Sequence, residues 1–229
     1  MREIVLDTET TGLDPSSGHR LVELACVEID NLVATGRIFH VYLDPERSVP
    51  EEAFRIHGLS TEFLKGQKLF SEIHLEFLNF IEDSRLIIHN AEFDVKFINA
   101  ELTKAGSKPL LMERVFDTLT FARKKHPGVS NSLDALCARY KIDNSKRTKH
   151  GALLDAEILA ELYLELMGGR QTALSLPALK KTAKTIAPYH TTDREVALAS
   201  SIEATDLEQH ARLTLSLGAV AVWNRYQKA

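Results

Sequence analysis

Cysteine is scarce: Cys26 and Cys137 are the only two in 229 residues. Two so far apart fit neither a disulfide framework nor the paired spacing of a zinc site, and both are expected as small buried side chains in a reducing compartment. No apolar run reaches the roughly 18 residues of a membrane span. No basic-then-apolar leader opens the chain. The expectation is a soluble, cytoplasmic protein with no membrane partner. Positive charge is also in short supply, with 28 Lys and Arg against 32 Asp and Glu for a net charge of −4. That balance excludes a strong autonomous grip on a polyanion through charge alone. What is present is a hydrophobic content of 44%, enough for one well-packed domain plus an extension.

Ile4-Val5-Leu6 reads as a central strand buried on both faces, and Leu21 to Ile29 and Ile38 to Leu43 as further strands. The turn-like Asp30-Asn31 and Thr35-Gly36 separate the latter two, so the three strands suggest an antiparallel meander. Ile73, Phe77, Leu78 and Ile81 recur at helical spacing before a strand at Leu86-Ile87-Ile88. A helix carrying Phe97, Ile98, Leu102 and Ala105 stops at Gly106, and Val115-Phe116 is a short strand with Asp117 capping the next helix. Helices around Ser132 to Tyr140 and Ala152 to Met167 follow, the last with a stripe of Ala152, Ala156, Leu159, Tyr163 and Met167. Strands first, then strands alternating with helices, predict an α/β domain with a mixed five-stranded sheet flanked by helices. It is expected to close near residue 169. Residues 170–200 read as a linker and 201–229 as an extended apolar tail, and there is no internal repeat.

Three distant stretches end in carboxylates: Asp7-Thr8-Glu9-Thr10-Thr11-Gly12, His89-Asn90-Ala91-Glu92-Phe93-Asp94, and His150-Gly151-Ala152-Leu153-Leu154-Asp155. Asp7 and Glu9 lie two apart on a strand and leave the same face of it, where mutual repulsion demands a cation or proton. The plain alternative is a strand already frayed into a polar turn. Asp94 near a helix start could be a simple dipole partner. Asp155 sits in line with Leu159, Leu162 and Leu166, so it needs a partner, either a metal or a lysine at the core edge. His150 is five residues before Asp155, about 140° away on an ideal helix, and is placed on the entering loop. There an imidazole can accept a proton near neutral pH. If the three stretches converge, the four carboxylates form a cage suited to two divalent ions, Mg²⁺ or Mn²⁺, and to phosphodiester hydrolysis.

In this order the motifs resemble those of the DEDD exonucleases of the histidine-bearing type. Phe39-His40-Val41-Tyr42-Leu43, Asn131 to Tyr140 and Asp143-Asn144-Ser145-Lys146-Arg147-Thr148 narrow the resemblance to the family of epsilon (proofreading exonuclease) subunits of bacterial DNA polymerase III. The likeness covers about residues 2 to 170 and continues more weakly in the last 25 or so. It implies an RNase H-like fold and 3′→5′ removal of terminal nucleotides as 5′-monophosphates. Carried over by motif, Asp7, Glu9 and Asp155 hold the metals directly, Asp94 supports the second through water, and His150 is the general base. Glu9, Thr10, Leu13, Glu52, His57, Asn90 and Phe93 match positions around the terminal nucleotide. A rival within the same chemistry is RNA trimming of the ribonuclease T or oligoribonuclease type. A second is a mainly structural linker.

Gln171-Thr172-Ala173-Leu174-Ser175-Leu176 resembles the short peptide that bacterial sliding clamps bind, with Gln171, Leu174 and Leu176 as anchors. The plain alternative is a solvated linker. Leu207, Leu213, Leu215 and Trp223 then resemble the segment that docks on the polymerase (alpha) subunit. Implied partners are therefore that subunit, the beta sliding clamp and a DNA 3′ end, with a small accessory subunit as a further candidate. Tethering would also account for the low positive charge, since it raises local concentration. Lys124-Lys125-His126 and Lys146-Arg147-Thr148-Lys149 are the basic clusters, the second expected to face substrate phosphates.

Overall fold

Ile4, Val5 and Leu6 are fully buried because the strand that carries them, β1 (Arg2–Thr10), lies in the middle of a sheet. The computed structural model describes residues 1–145, 147, 149–168, 202–218 and 222. The chain divides into two compact units, Met1–Ser175 and Leu176–Ala229. In the first, β1 pairs antiparallel with β2 (Leu21–Asp30) and β2 antiparallel with β3 (Val33–Tyr42). On its other side β1 runs parallel to β4 (Arg85–Ile88), and β4 parallel to β5 (Val115–Asp117). The order β3-β2-β1-β4-β5 is the mixed five-stranded sheet expected, meander included.

One strand starts earlier than its sequence suggests. Thr35-Gly36 is not a turn between strands but part of β3, where Thr35 to Arg37 bulge against the single residue Glu28. Gly36 takes the positive φ of 83° that such a bulge can require. The Glu28 carboxylate accepts from Thr35 Oγ1 and Arg37 Nη1, both at 2.9 Å, which ties the extra residues down. The hairpin turn itself uses Asn31 and Leu32, both at positive φ. No element is predicted from sequence between β3 and Ile73. The structure has two short helices there, α1 (Glu51–His57) and α2 (Thr61–Leu64).

Helices cover both faces. Ile4 and Leu6 pack with α3 (Phe70–Ile81) and α4 (Ala91–Lys104) through Ile73, Phe77, Ile81, Phe97 and Ile98. Val5 points the other way, toward α6 (Leu133–Tyr140) and α7 (Ala152–Leu166), which follow α5 (Thr118–Lys125). In α7, Ala152 and Ala156 are small enough to let the helix approach the sheet, and Leu159 and Tyr163 continue the buried stripe. Met167 does not, as the helix ends at Leu166 and the next side chain is 43% exposed. Leu166 is the buried residue instead.

In the second unit, α8 (Ala204–Ser216) carries the exposed Leu207, Leu213 and Leu215. Gln171, Leu174, Leu176 and Trp223, and all of the expected linker over 170–200, lie outside the described residues. Among the described residues no helix is long and apolar enough to cross a membrane.

Candidate active site

The alternation that buries Val5 toward α7 sends Asp7 and Glu9 to the same side, while Thr8 follows Leu6 toward α4. Both acids are in register with β2, Asp7 opposite Ala25 and Glu9 opposite Glu23, so the stretch has not frayed into a turn. The register shifts after Glu9, and the chain leaves the sheet at Thr10. Thr10 Oγ1 donates to the Gly12 carbonyl at 2.6 Å. Gly12 lacks a side chain for a local reason: a Cβ there would lie 2.3 Å from the His19 ring.

Two helices bring the remaining acids to the carboxyl end of β1. Asp94, in the first turns of α4, arrives from the Leu6 face and accepts from Thr8 Oγ1 at 2.6 Å. Asp155, in the first turn of α7, arrives from the Val5 face. His150 sits on the loop before Gly151, the N-cap of α7, and its backbone N–H bonds the Ile56 carbonyl at 3.2 Å. Standing outside the helix, its Nδ1 reaches within 3.3 Å of Asp155 Oδ2. Ligand atoms of Glu9, His150 and Asp155 lie within 4.8 Å of one another. An oxygen-rich set with one imidazole is the chemistry that suits Mg²⁺ or Mn²⁺, so the residues present fit the implied ions.

Crowding shows in the acid strengths. Burial, with Asp94, Glu9 and Asp155 close by, holds Asp7 well above the usual carboxylate range. Burial and the neighbours Asp155, Glu23 and Asp94 push Glu9 up to about 8. Asp94 rises to about 7 through burial, against the hydrogen bond from Thr8. Asp155 moves the other way. Burial acts to raise it, but the Arg147 guanidinium outweighs that and holds it below its ordinary value. Three of the four acids thus tend to keep protons unless cations arrive.

Two clefts open at this edge. One, of about 790 Å³, is lined by Asp7, Glu9, Asp94, Asp155 and His150, with Asn90 on its wall. The other, of about 500 Å³, is lined by Thr10, Glu52 and His57. Glu9, Leu13 and Phe93 border both and form the partition between them. Leu13 is 83% exposed, and Phe93 leans on Phe97 with ring centroids 5.1 Å apart. Asn90 adopts φ 67° at the N-cap of α4, and its N–H bonds Asp117 Oδ1 at 3.1 Å. His57 is buried, which lowers its pKa, and its Nε2 has no well-formed hydrogen-bond partner among the described residues. Nδ1 accepts from Leu59 N at 3.0 Å. The expected substrate residues therefore group around one compact double cleft.

A family model described as Exonuclease matches residues 4–163, which takes in all three acidic stretches. DNA polymerase III subunit epsilon of Escherichia coli (strain K12) is 47% identical over 227 residues, covering 93% of this chain and 93% of its own. The protein of the same name from Rickettsia conorii is 57% identical over 179 residues, covering 77% and 78%. The chain belongs to the exonuclease family, in its DNA polymerase III epsilon branch. Solved structures similar to this exonuclease include Exonuclease X in complex with 5′ overhanging duplex DNA. That chain has a TM-score of 0.56 at 23% identity, with 72% of this chain and 90% of that one covered. Another is a 3′-exonuclease solved for 3′-end specific recognition of histone mRNA stem-loop, with a TM-score of 0.63 at 15% identity, covering 72% and 63%. Both speak to the fold alone.

Sequence reasoning missed parts of the exonuclease site. Thr8 was hidden between two acids, although strand alternation places it on the Asp94 side. Arg147 was expected to face substrate phosphates, yet its guanidinium turns inward and binds both oxygens of Asp155, at 2.5 and 2.8 Å. Asp134, which accepts from Arg147 Nη1 at 2.7 Å, gave no signal beyond an ordinary helix-start acid.

Proposed function

We propose that this exonuclease removes misincorporated 3′-terminal nucleotides from DNA as the proofreading subunit of a replicative DNA polymerase III, by two-metal-ion hydrolysis. The observation that carries the reading is the meeting of Asp7, Glu9, Asp94, Asp155 and His150 at one end of the sheet, in a chain 47% identical to an epsilon subunit over nearly its whole length. When bound, two divalent cations, Mg²⁺ or Mn²⁺, neutralise the charge that develops on the attacking and leaving oxygens. Asp7, Glu9 and Asp155 would hold them directly, with Asp94 supporting the second. His150, half exposed at the rim, accepts a proton from the attacking water and passes it to solvent. The bond from phosphorus to the preceding 3′ oxygen breaks, leaving a new 3′ hydroxyl and a free 5′-monophosphate. Glu9, Thr10, Leu13, Glu52, His57, Asn90 and Phe93 would cradle the terminal nucleotide in the double cleft.

The same reading assigns residues 1–169 to catalysis and 170–229 to tethering, within the cytoplasm. Gln171, Leu174 and Leu176 bind the sliding clamp; Leu207, Leu213, Leu215 and Trp223 bind the polymerase subunit. The exposed leucines of α8 support the second assignment. Asp7→Ala should abolish release of 5′-monophosphates from single-stranded and mispaired DNA ends while the protein stays folded by circular dichroism. Degradation by that variant, or faster cleavage of matched RNA than of DNA oligomers by the native enzyme, would overturn the reading. Deleting residues 170–229 should leave hydrolysis of free oligonucleotides within about twofold, since the domain's own cleft holds the end, and abolish co-elution with the polymerase subunit.

A further inference from the structure

The guanidinium of Arg147 stands among the groups that would receive a cation. Its Nη2 lies 2.7 Å from His150 Nδ1 and 2.8 Å from Asp155 Oδ2, touching two of the three residues whose ligand atoms cluster within 4.8 Å. Its Nε takes Asp155 Oδ1 at 2.5 Å, so neither carboxylate oxygen is left unengaged. Nη1 is anchored on Asp134 Oδ1 at 2.7 Å, and Asn144 Nδ2 donates to the same oxygen at 3.1 Å. The Arg147 side chain is only 8% exposed.

The chemistry of the donors sharpens the picture. A guanidinium has no acceptor, so His150 Nδ1 must present its lone pair to Arg147. A general base needs such a lone pair free for the proton of water. Nη2 is also 3.5 Å from the other ring nitrogen. The 3.3 Å approach of Nδ1 to Asp155 is then proximity, not a hydrogen bond, because that nitrogen carries no proton while Arg147 donates to it. Arg147 is carried on the connection between α6 and α7, not on a helix, and its backbone N–H bonds the Asn144 carbonyl at 2.9 Å.

We propose that Arg147 competes with divalent cations for Asp155 and His150. It holds Asp155 and His150 together, keeps the base engaged, and has to be displaced from both before divalent cations load. It is a positioning residue, and the idea rests on the reading that divalent cations occupy this cage. A merely structural ion pair makes the opposite prediction, since removing it would loosen Asp155 and weaken metal binding.

Titration of full-length protein with MnCl₂, followed by calorimetry, separates the two. Arg147→Gln should bind Mn²⁺ about three- to tenfold more tightly than the native chain, and Arg147→Lys, which keeps the charge but loses the two-pronged contact, should fall between. In EDTA the melting temperature of Arg147→Gln should lie below that of the native chain, and saturating Mn²⁺ should close the gap. Equal or weaker Mn²⁺ binding by Arg147→Gln overturns the proposal. If that variant shows no melting transition even with Mn²⁺, Arg147→Lys decides by the same criterion. A native chain that binds no Mn²⁺ would sink the metal reading along with this one. Native binding without tightening in either variant would sink this one alone.

Discussion

Asp94 and Asp155 reach the same cage from opposite faces of the sheet and are held by opposite means. On the Leu6 face, Asp94 meets a neutral hydroxyl, Thr8 Oγ1 at 2.6 Å. On the Val5 face, Asp155 meets a full positive charge, Arg147 at 2.5 and 2.8 Å. Burial is nearly equal, 4% and 3% exposed, yet Asp94 is raised to about 7 and Asp155 is lowered. Burial raises both; the hydroxyl of Thr8 is too weak to reverse it, and the charge of Arg147 is not. One half of the cage is held by a neutral hydroxyl, the other by a cationic side chain.

The sharpest test of that asymmetry substitutes each acid by its amide. Asp94→Asn and Asp155→Asn should both lower the rate of 3′-end hydrolysis by about a thousandfold or more, because each removes a carboxylate from the proposed metal set. In EDTA at pH 8 their stabilities should diverge. Asp94→Asn removes a crowded negative charge and should stabilise the fold by about 1 kcal/mol. Asp155→Asn leaves a buried guanidinium with only the exposed Asp134 as carboxylate partner and should destabilise the fold by about 2–3 kcal/mol. Urea unfolding measures both, and shifts of the same sign would dissolve the comparison.

His150→Ala comes next. Loss of a general base costs roughly 10²–10⁴-fold, and with the side chain half exposed the fold should be untouched. A rate within threefold of native, measured on a short single-stranded oligonucleotide, would remove His150 from the chemistry.

The acids also dictate a pH response without metal. Glu9 and Asp94 have folded pKa values of about 8 and about 7, above those of the unfolded chain. The folded state therefore binds more protons between about pH 4.5 and 8, and stability falls as pH rises through that window. Asp155 contributes oppositely only at acid pH, while His57 and His89, lowered by burial, oppose the trend up to about pH 6.5, so the fall is steepest above that. In EDTA the melting temperature should drop by about 5 °C from pH 5.5 to 8.5. Saturating Mn²⁺ should flatten the curve, because bound cations replace the protons. A flat profile in EDTA would mean that the acids are not crowded.

How far the sequence spoke for this site follows from the same physics. The strand carrying Asp7 and Glu9, the capping of α5 by Asp117 and the placing of His150 on a loop were legible because each rests on local periodicity or a cap. Local rules do not see what crosses the sheet. Arg147 looked like one residue of a solvated basic run, and only the fold turns it toward Asp155. β3 was cut short because Thr35-Gly36 carries turn residues, and the cross-strand bonds to Glu28 override that signal. α1 was missed because its seven residues are too few for periodicity to declare itself, and half of its importance, His57, rested on family resemblance.

Thr8→Val is the smallest change that bears on the comparison. Valine keeps the β-branched shape that a strand prefers but cannot donate to Asp94. The hydroxyl favours the charged carboxylate, so its loss should raise the Asp94 pKa further and leave the rate at pH 7 lower by about three- to tenfold, with recovery as pH increases. Asp94 would then need more alkaline conditions, or more Mn²⁺, to enter the metal set. The matching change on the other face, Arg147→Gln, should ease metal entry instead of hindering it. If both substitutions shift the metal requirement in the same direction, the two halves of the cage are held alike, and the difference between a hydroxyl and a guanidinium carries no functional weight.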